Sequence, residues 1–519
     1  MRPFASHSLP LVFTLLAGCT VERASTGPAV VDIPLLMHPL AAPHAITREV
    51  PPGPLASRSA PFPAVVRSQL ATGLRTSVAE MHSLPLVQVR VVVGAGIGYG
   101  PLPGAALLTA MLMKDGGAGG MTSADVLGRI ESLGGTLTVD VDADSSRFAL
   151  AVPRDELGRA LALLADIIAH PAFDARELGK LKLRETDQAR EEARANGTWM
   201  ATRVVFRELF SAESPYYRFG LTPAEIARVD ERSIRDFHRR WYTASNTEVI
   251  VVGDVDAAAG TREIERAFGG LKAGDGPKQG FPPAIPLGKR HVVLVSRPKS
   301  AQSDIFVATT VAARTSPEWP ALRVSNQVLG GVPSGRLFLD VREERSLAYS
   351  ARSSIFELAH GPEPLLVYVG TQTPKTGPAL QAALENLDGM LARAPTATET
   401  EGSRRYLTDV FATRMETMGS IADLIAQQRV LGLADGYWDS YRAALRSVEP
   451  AAAGSAAASF AHADRALVVV AGDADALAPV LVHFGDVSIV DPTHDFQTVK
   501  TLAFDASAPL EAAAPKSPN

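Results

Sequence analysis

Histidine, cysteine and carboxylate side chains reveal a metal centre by their spacing, and here the spacing is wrong. The chain has 11 His and a single Cys, which excludes an internal disulfide framework and any cysteine-rich metal site. His-x-x-Glu-His would set two imidazoles and a carboxylate on one helical face to bind zinc and activate its water; neither it nor its inverse occurs. Two glycine runs invite phosphate chemistry and also fail. In Gly94 to Gly100, Tyr99 stands at the third glycine position of a dinucleotide turn, and Pro101 and Pro103 interrupt the helix start that would hold a pyrophosphate. Gly116-Gly117-Ala118-Gly119-Gly120 lacks the Lys-Ser/Thr of a phosphate loop and reads as a link between helices.

Two further stretches hold attention. Gly104-Ala105-Ala106-Leu107-Leu108-Thr109-Ala110-Met111-Leu112-Met113 follows an apolar strand and reads as a helix with no metal ligand or proton carrier. Val341-Arg342-Glu343-Glu344-Arg345-Ser346-Leu347-Ala348-Tyr349-Ser350 carries a guanidinium and a phenol. On residue type alone, Arg342 is a surface arginine in an i,i+3 or i,i+4 charge cluster and Tyr349 a half-buried strand tyrosine.

The elements that must position these groups fall into two halves. With 519 residues, 46% hydrophobic and 21% charged, the chain suits a soluble protein of two or more domains. Its formal net charge of -5 leaves no broad basic surface for nucleic acid. Strands are predicted at 74–78 and 87–93, then the helix from Gly104, a second helix from an N-cap at Thr122 or Ser123 to Leu133, and strands at 136–141 and 147–152. Helices follow from 154 to about 241, and the half closes with the strand Glu248 to Asp254. After a Gly/Pro-rich linker at 271–289 the order recurs. Strands at 291–296 and 303–310 precede helices at 317–330 and 334–343, strands at 348–356 and 364–370, helices over 376–460, and the strand Ala466 to Ala471. The matching order predicts an α+β chain built by duplication, with domains at 65–270 and 290–490 and a flexible tail at 491–519.

The one cysteine closes a leader. Arg2, the short apolar core Leu9 to Leu16 and Leu16-Ala17-Gly18-Cys19 read as a signal peptide at 1–19, too short to span a bilayer. Leu-Ala-Gly-Cys resembles the bacterial lipobox, so Cys19 is the expected lipidation site; the alternative is a secretory signal with an incidental cysteine. Thr20 in place of Asp favours outer-membrane sorting, giving a lipid-anchored envelope protein facing the periplasm. Residues 20–64, dense in proline, read as a tether.

Taken together, Gly73-Leu74-Arg75, the strand Val87 to Val93, the Gly104 helix, Ser123-Ala124-Asp125 through Leu133-Gly134-Gly135, Phe237 to Tyr242 and Val251-Val252-Gly253-Asp254 resemble the insulinase/pitrilysin family of zinc peptidases. The resemblance covers about 65–490 and implies two similar α+β domains, each a mostly antiparallel sheet packed with helices, facing across a peptide-binding cavity. Active members carry His-x-x-Glu-His on the first helix. An ungapped register puts Leu107, Ala110 and Met111 at those places, and a shift of one gives Ala106, Thr109 and Ala110; neither supplies a ligand or a base. The family's third ligand, a glutamate about eighty residues on, would fall near Asp187-Gln188, among Glu185, Glu191 and Glu192, which read as a solvated face.

The second half keeps more of the family pattern, in Asn326 to Gly331, Ser334 to Phe338 and Val341 to Ser350, with Gly335 and Ser346 where Ser and Gly are common. The resemblance assigns Arg342 and Tyr349 to substrate backbone and oxyanion, a task for which their donors are suited. It implies a non-catalytic subunit that binds no cofactor itself, pairs with a zinc-bearing homologue and completes that partner's peptide site. The alternatives are a peptide-binding or scaffold lipoprotein of the envelope without enzymatic role, and a peptidase with unconventional ligands.

Overall fold

The structure, a computed structural model, describes residues 61–512 apart from Asp275 and Pro277. The expected signal segment with Cys19, and residues 20–60 of the expected tether, lie outside the described residues.

Strands β1 (Val65–Gln69), β2 (Arg75–Glu80), β3 (Leu86–Val93), β4 (Thr136–Val141), β5 (Ser146–Pro153) and β6 (Thr247–Gly253) form one sheet in the order β1-β2-β6-β3-β5-β4. Strands β7 (His291–Ser296), β8 (Gln302–Val311), β9 (Ala348–Ile355), β10 (Glu363–Gln372), β11 (Leu467–Gly472), β12 (Val487–Asp491) and β13 (Gln497–Leu502) form the other, in the order β13-β12-β7-β11-β8-β10-β9. The duplication is explicit in the pairing: β2-β6-β3-β5-β4 repeats as β7-β11-β8-β10-β9, and in both series the first pair is parallel and the rest antiparallel. The architecture is thus the α+β duplication that the sequence pattern predicts, with the mostly antiparallel sheets that the resemblance implies.

The helices of the first half are α1 (Ala105–Asp115), α2 (Ser123–Ser132), α3 (Leu157–Ala169), α4 (Ala175–Ala195), α5 (Gly197–Leu209), α6 (Pro223–Arg228), α7 (Glu231–Trp241) and α8 (Ala257–Phe268). Those of the second are α9 (Trp319–Asn326), α10 (Thr376–Ala392), α11 (Ala397–Thr413), α12 (Met418–Val430), α13 (Tyr437–Arg446), α14 (Pro450–Ala458) and α15 (Ala474–Leu481). Local chemistry sets several boundaries. Thr122 and Asp125 form a capping box that starts α2. Gly134, at φ 66°, ends that helix, and Gly134 and Gly135 donate back to the carbonyls of Glu131 and Ile130.

Each sheet has one face against helices of its own half and the other against a helix from the opposite half. From α12, Met418, Ile421, Ala422, Ile425 and Ala426 lie on Ala79, Val92, Ile250 and Val252 of the first sheet. In return α5 lays Met200, Ala201, Val204, Val205 and Leu209 against Val293, Val295, Phe306, Val469 and Ala471 of the second. In both helices these residues recur at the three- and four-residue spacing of one helical face. This exchange explains why β6 and β11 are buried at every residue, with Val249 to Val252 and Leu467 to Ala471 reading as unbroken apolar runs instead of alternating ones. Clefts of about 530, 340 and 330 Å3 lie around the C-terminal end of α12, and another of about 390 Å3 lies between the start of α5 and β8.

Three expectations are corrected. The helix expected at 317–330 stops at Asn326 and continues as a π turn over Gln327–Gly331, where Gly330 leaves helical geometry (φ -175°, ψ 18°). A Cβ at Gly330 would come within 2.9 Å of the Ser353 nitrogen, so this turn is pressed onto β9. The helix expected at 334–343 is largely a second π turn, Phe338–Glu344. Finally, residues 491–519 are not loose as far as they are described. Strand β13 pairs with β12, and Asp495 takes a 2.9 Å hydrogen bond from Arg207, while the guanidiniums of Arg203 and Arg207 each lie 5.6 Å from the Phe496 ring centre. The residues of β13 are almost all exposed, so no apolar alternation announced the strand.

Candidate functional site

Helix α1 begins at Gly104, which adopts φ 86° as N-cap, and packs on α3, α4, α7, β4 and β5 of its own half. Ala105, Ala106, Leu108, Thr109, Ala110, Leu112 and Met113 are buried, whereas Leu107 and Met111, one turn apart, form its half-buried face. The first register therefore puts its two imidazole positions on the accessible side of the helix and its carboxylate position, Ala110, at zero exposure. The alternative register places Ala106 and Ala110 in the core, with the Thr109 hydroxyl buried and unpaired. Apolar packing holds this helix.

The downstream acids divide. Asp187 pairs with Arg190 and Glu191 with Arg194, and Glu192 takes the Asn196 amide, all on the solvated face that the sequence suggests. Glu185 departs from that expectation. It is buried in the stripe Leu178, Leu181, Glu185, Ala189, the face α4 turns to the core shared with α1, and the Arg184 Nε lies 3.2 Å from its carboxylate. The three- and four-residue spacing of that stripe was the signal; the polar composition of α4 hid it. One carboxylate already held by a guanidinium, facing a helix with Leu107, Ala110 and Met111, is no zinc donor set, and the residues present do not fit the metal. Among the described residues no three His, Cys, Asp or Glu side chains gather as a metal site.

Arg342 lies in the π turn Phe338–Glu344 with its guanidinium 4.7 Å from the Phe338 ring centre and 3.5 Å from Glu343. Tyr349 stands on the edge strand β9 and is 59% exposed, more open than a half-buried strand tyrosine. Every contact the structure records for these two side chains is within the second half. The turn that joins them passes through Ser346 at φ 50°, the left-handed geometry that glycine adopts without strain, so the turn is kept despite the side chain.

Behind Tyr349 runs a polar chain that the sequence reading missed. Its ring reaches over Gly370, where a Cβ would sit 3.1 Å from the Tyr349 hydroxyl and 2.8 Å from that of Tyr368, and where β10 carries an irregular register. Tyr368 donates to Asp304 at 2.9 Å. The same carboxylate accepts the Thr198 hydroxyl, from the start of α5, at 3.0 Å and Arg297 at 3.3 Å. Burial, then the Asp304 charge, pushes the Tyr368 phenol well above its ordinary range. Arg352 covers the Tyr368 ring at 4.3 Å.

A buried carboxylate also sits between the halves. Asp144 accepts the Tyr216 hydroxyl at 2.7 Å, the Tyr99 hydroxyl at 3.3 Å and, from the second half, the Ala359 N–H at 2.9 Å. Burial pushes its carboxyl up to about 6. In sequence it is one acid of a strand-joining turn, with nothing to single it out.

The family description "Insulinase (Peptidase family M16)" matches residues 77–214, and "Peptidase M16 inactive domain" matches residues 228–407. An uncharacterized zinc protease of Mycobacterium leprae is 26% identical over 310 residues, 58% of this chain and 67% of that one. A probable inactive metalloprotease of Bacillus subtilis is 24% identical over 245 residues, 43% of this chain and 56% of that one. Among solved structures, a peptidase M16 inactive domain from Pseudomonas fluorescens has a TM-score of 0.74 at 21% identity, covering 79% of this chain and 98% of that one. A protease from Helicobacter pylori has a TM-score of 0.72 at 18% identity, covering 79% of this chain and 100% of that one.

Proposed function

This chain belongs to the insulinase (M16) peptidase family, and from that premise we propose that it is a non-catalytic member and one subunit of a two-chain metallopeptidase. A homologue bearing His-x-x-Glu-His supplies the zinc. This chain supplies Arg342 and Tyr349, which hold the peptide backbone and stabilise the oxyanion formed in the partner's site. The observation that carries the reading is an asymmetry. The zinc address on α1 holds Leu107, Ala110 and Met111, while Arg342 and Tyr349 remain exposed on the second half, with donors that a second protein can reach. Oxyanion donors need a metal-activated water, which α1 with Leu107, Ala110 and Met111 does not supply. The leader ending in Cys19 extends the proposal to a lipid-anchored pair at the outer membrane, facing the periplasm.

The test is co-expression with a zinc-bearing homologue and an assay of peptide cleavage. Arg342→Ala or Tyr349→Phe lowers turnover by about 100- to 1000-fold, the range for removing an oxyanion donor, with assembly retained on size-exclusion chromatography. Full activity of the homologue alone would sink the proposal.

A further inference from the structure

The face of the first sheet covered by α12 changes character along its length. Ala79, Val92, Ile250 and Val252 meet the apolar stripe of α12. Further back on the same face, β2 offers Arg75 and Ser77, β6 offers Glu248, and β1 adds Arg67. With Arg429 from the last turn of α12 these groups line the cleft of about 530 Å3.

Its charges do not cancel. Arg67 lies 3.3 Å from Asp435 and donates to Gln428 at 3.0 Å. Glu248, buried, accepts the Ser77 hydroxyl at 2.6 Å and lies 3.5 Å from the Arg429 Nε. Arg75 is exposed at the cleft and, among the described residues, its guanidinium has no ion pair or hydrogen bond. Three guanidiniums thus face two carboxylates, of which Asp435 is 83% exposed and screened by water. Burial, then the neighbouring Arg75 charge, pushes the Arg429 guanidinium down from its ordinary value. Like charges at a half-enclosed contact cost stability unless an anion joins them, and guanidiniums are shaped to grip the paired oxygens of a carboxylate or phosphate.

We propose that this cleft is an oxyanion-binding site in which Arg75 and Arg429 hold a carboxylate or phosphate group, tying β2 of the first half to α12 of the second. The space exceeds a free ion, and Arg429 and Gly432 also line the neighbouring cleft of about 340 Å3, whose other walls include Trp241, Phe281 and His360. The anion is therefore suited to be one end of a larger molecule with an apolar or aromatic neighbour. The inference does not depend on the subunit reading.

The probes are sodium phosphate, sodium acetate and a short peptide ending in Phe, as the free acid and as the amide. Each is titrated into the purified chain at ionic strength matched with sodium chloride, reading the thermal midpoint and the heat of binding. A saturable rise beyond chloride is expected, with Arg75→Gln weakening apparent affinity by about 10- to 100-fold, the size of a charge-assisted contact. Arg232→Gln, at an 89% exposed arginine on α7, leaves it unchanged. If Arg75→Gln does not fold, Arg429→Lys, which keeps the charge but loses the fork, shows the same loss. Preference for the free-acid peptide over its amide assigns a carboxylate, and a response to phosphate alone assigns a phosphate; either supports the site. No rise beyond chloride with any probe, or an equal rise in the arginine variants, overturns it.

Discussion

Thr198 of the first half donates its hydroxyl to Asp304 of the second at 3.0 Å, and the oxygen it reaches is the one that also accepts the Tyr368 phenol. The start of α5 is therefore bonded to the group that braces the ring beside Tyr349. A double-mutant cycle with Thr198→Val and Asp304→Ala should give a coupling of about 1 kcal/mol in urea unfolding. Strict additivity would mean that the bond contributes nothing in solution.

Removing one side chain from the helix exchange should be felt in both halves. Ile425→Ala, at 1% exposure on α12, should cost about 2–5 kcal/mol. Because Ile425 packs on Ile250 and Val252 across the divide, amide exchange should quicken in β6 as well as in α12. Faster exchange confined to the second half would show that the sheet does not rely on α12.

Asp144 should leave a signature in pH. Its folded carboxyl is raised from 3.8 to about 6. Between those values the folded state holds a proton that the unfolded state has lost. The contribution of Asp144 to stability should accordingly be fully present below the unfolded value and be lost as pH rises through the window, at about 1.4 kcal/mol per unit, levelling off above 6. Asp144→Asn cannot titrate, and its stability curve should lack that decline. Parallel curves for the two proteins from pH 4 to 6 would contradict the assignment.

Ser346 holds φ 50° in the turn between Arg342 and Tyr349. Ser346→Gly relieves a left-handed strain of about 1 kcal/mol, partly offset by the greater freedom of glycine in the unfolded chain. The expected result is equal or slightly higher stability, with Ser346→Val clearly lower. A tolerant response to valine would show that the turn relaxes in solution.

Much of the plan is legible in the linear pattern because it is local. The runs that become β3, β6 and β11, the capping residues Thr122 and Asp125, the glycines that stop α2 and the repeated order of elements are all set by neighbours in sequence. So is the lack of His-x-x-Glu-His, a matter of residue type and spacing alone. The tertiary structure decided the rest. Strand β13 exists because β12 offers it hydrogen bonds, and its own side chains carry no apolar period. Glu185 and Asp144 look like any surface acids until packing removes their water. That α5 and α12 cover each other's sheets follows from which apolar stripe meets which apolar face. Residues as far apart as Ala79 and Ile421 settle that match through burial, which has no counterpart in sequence spacing.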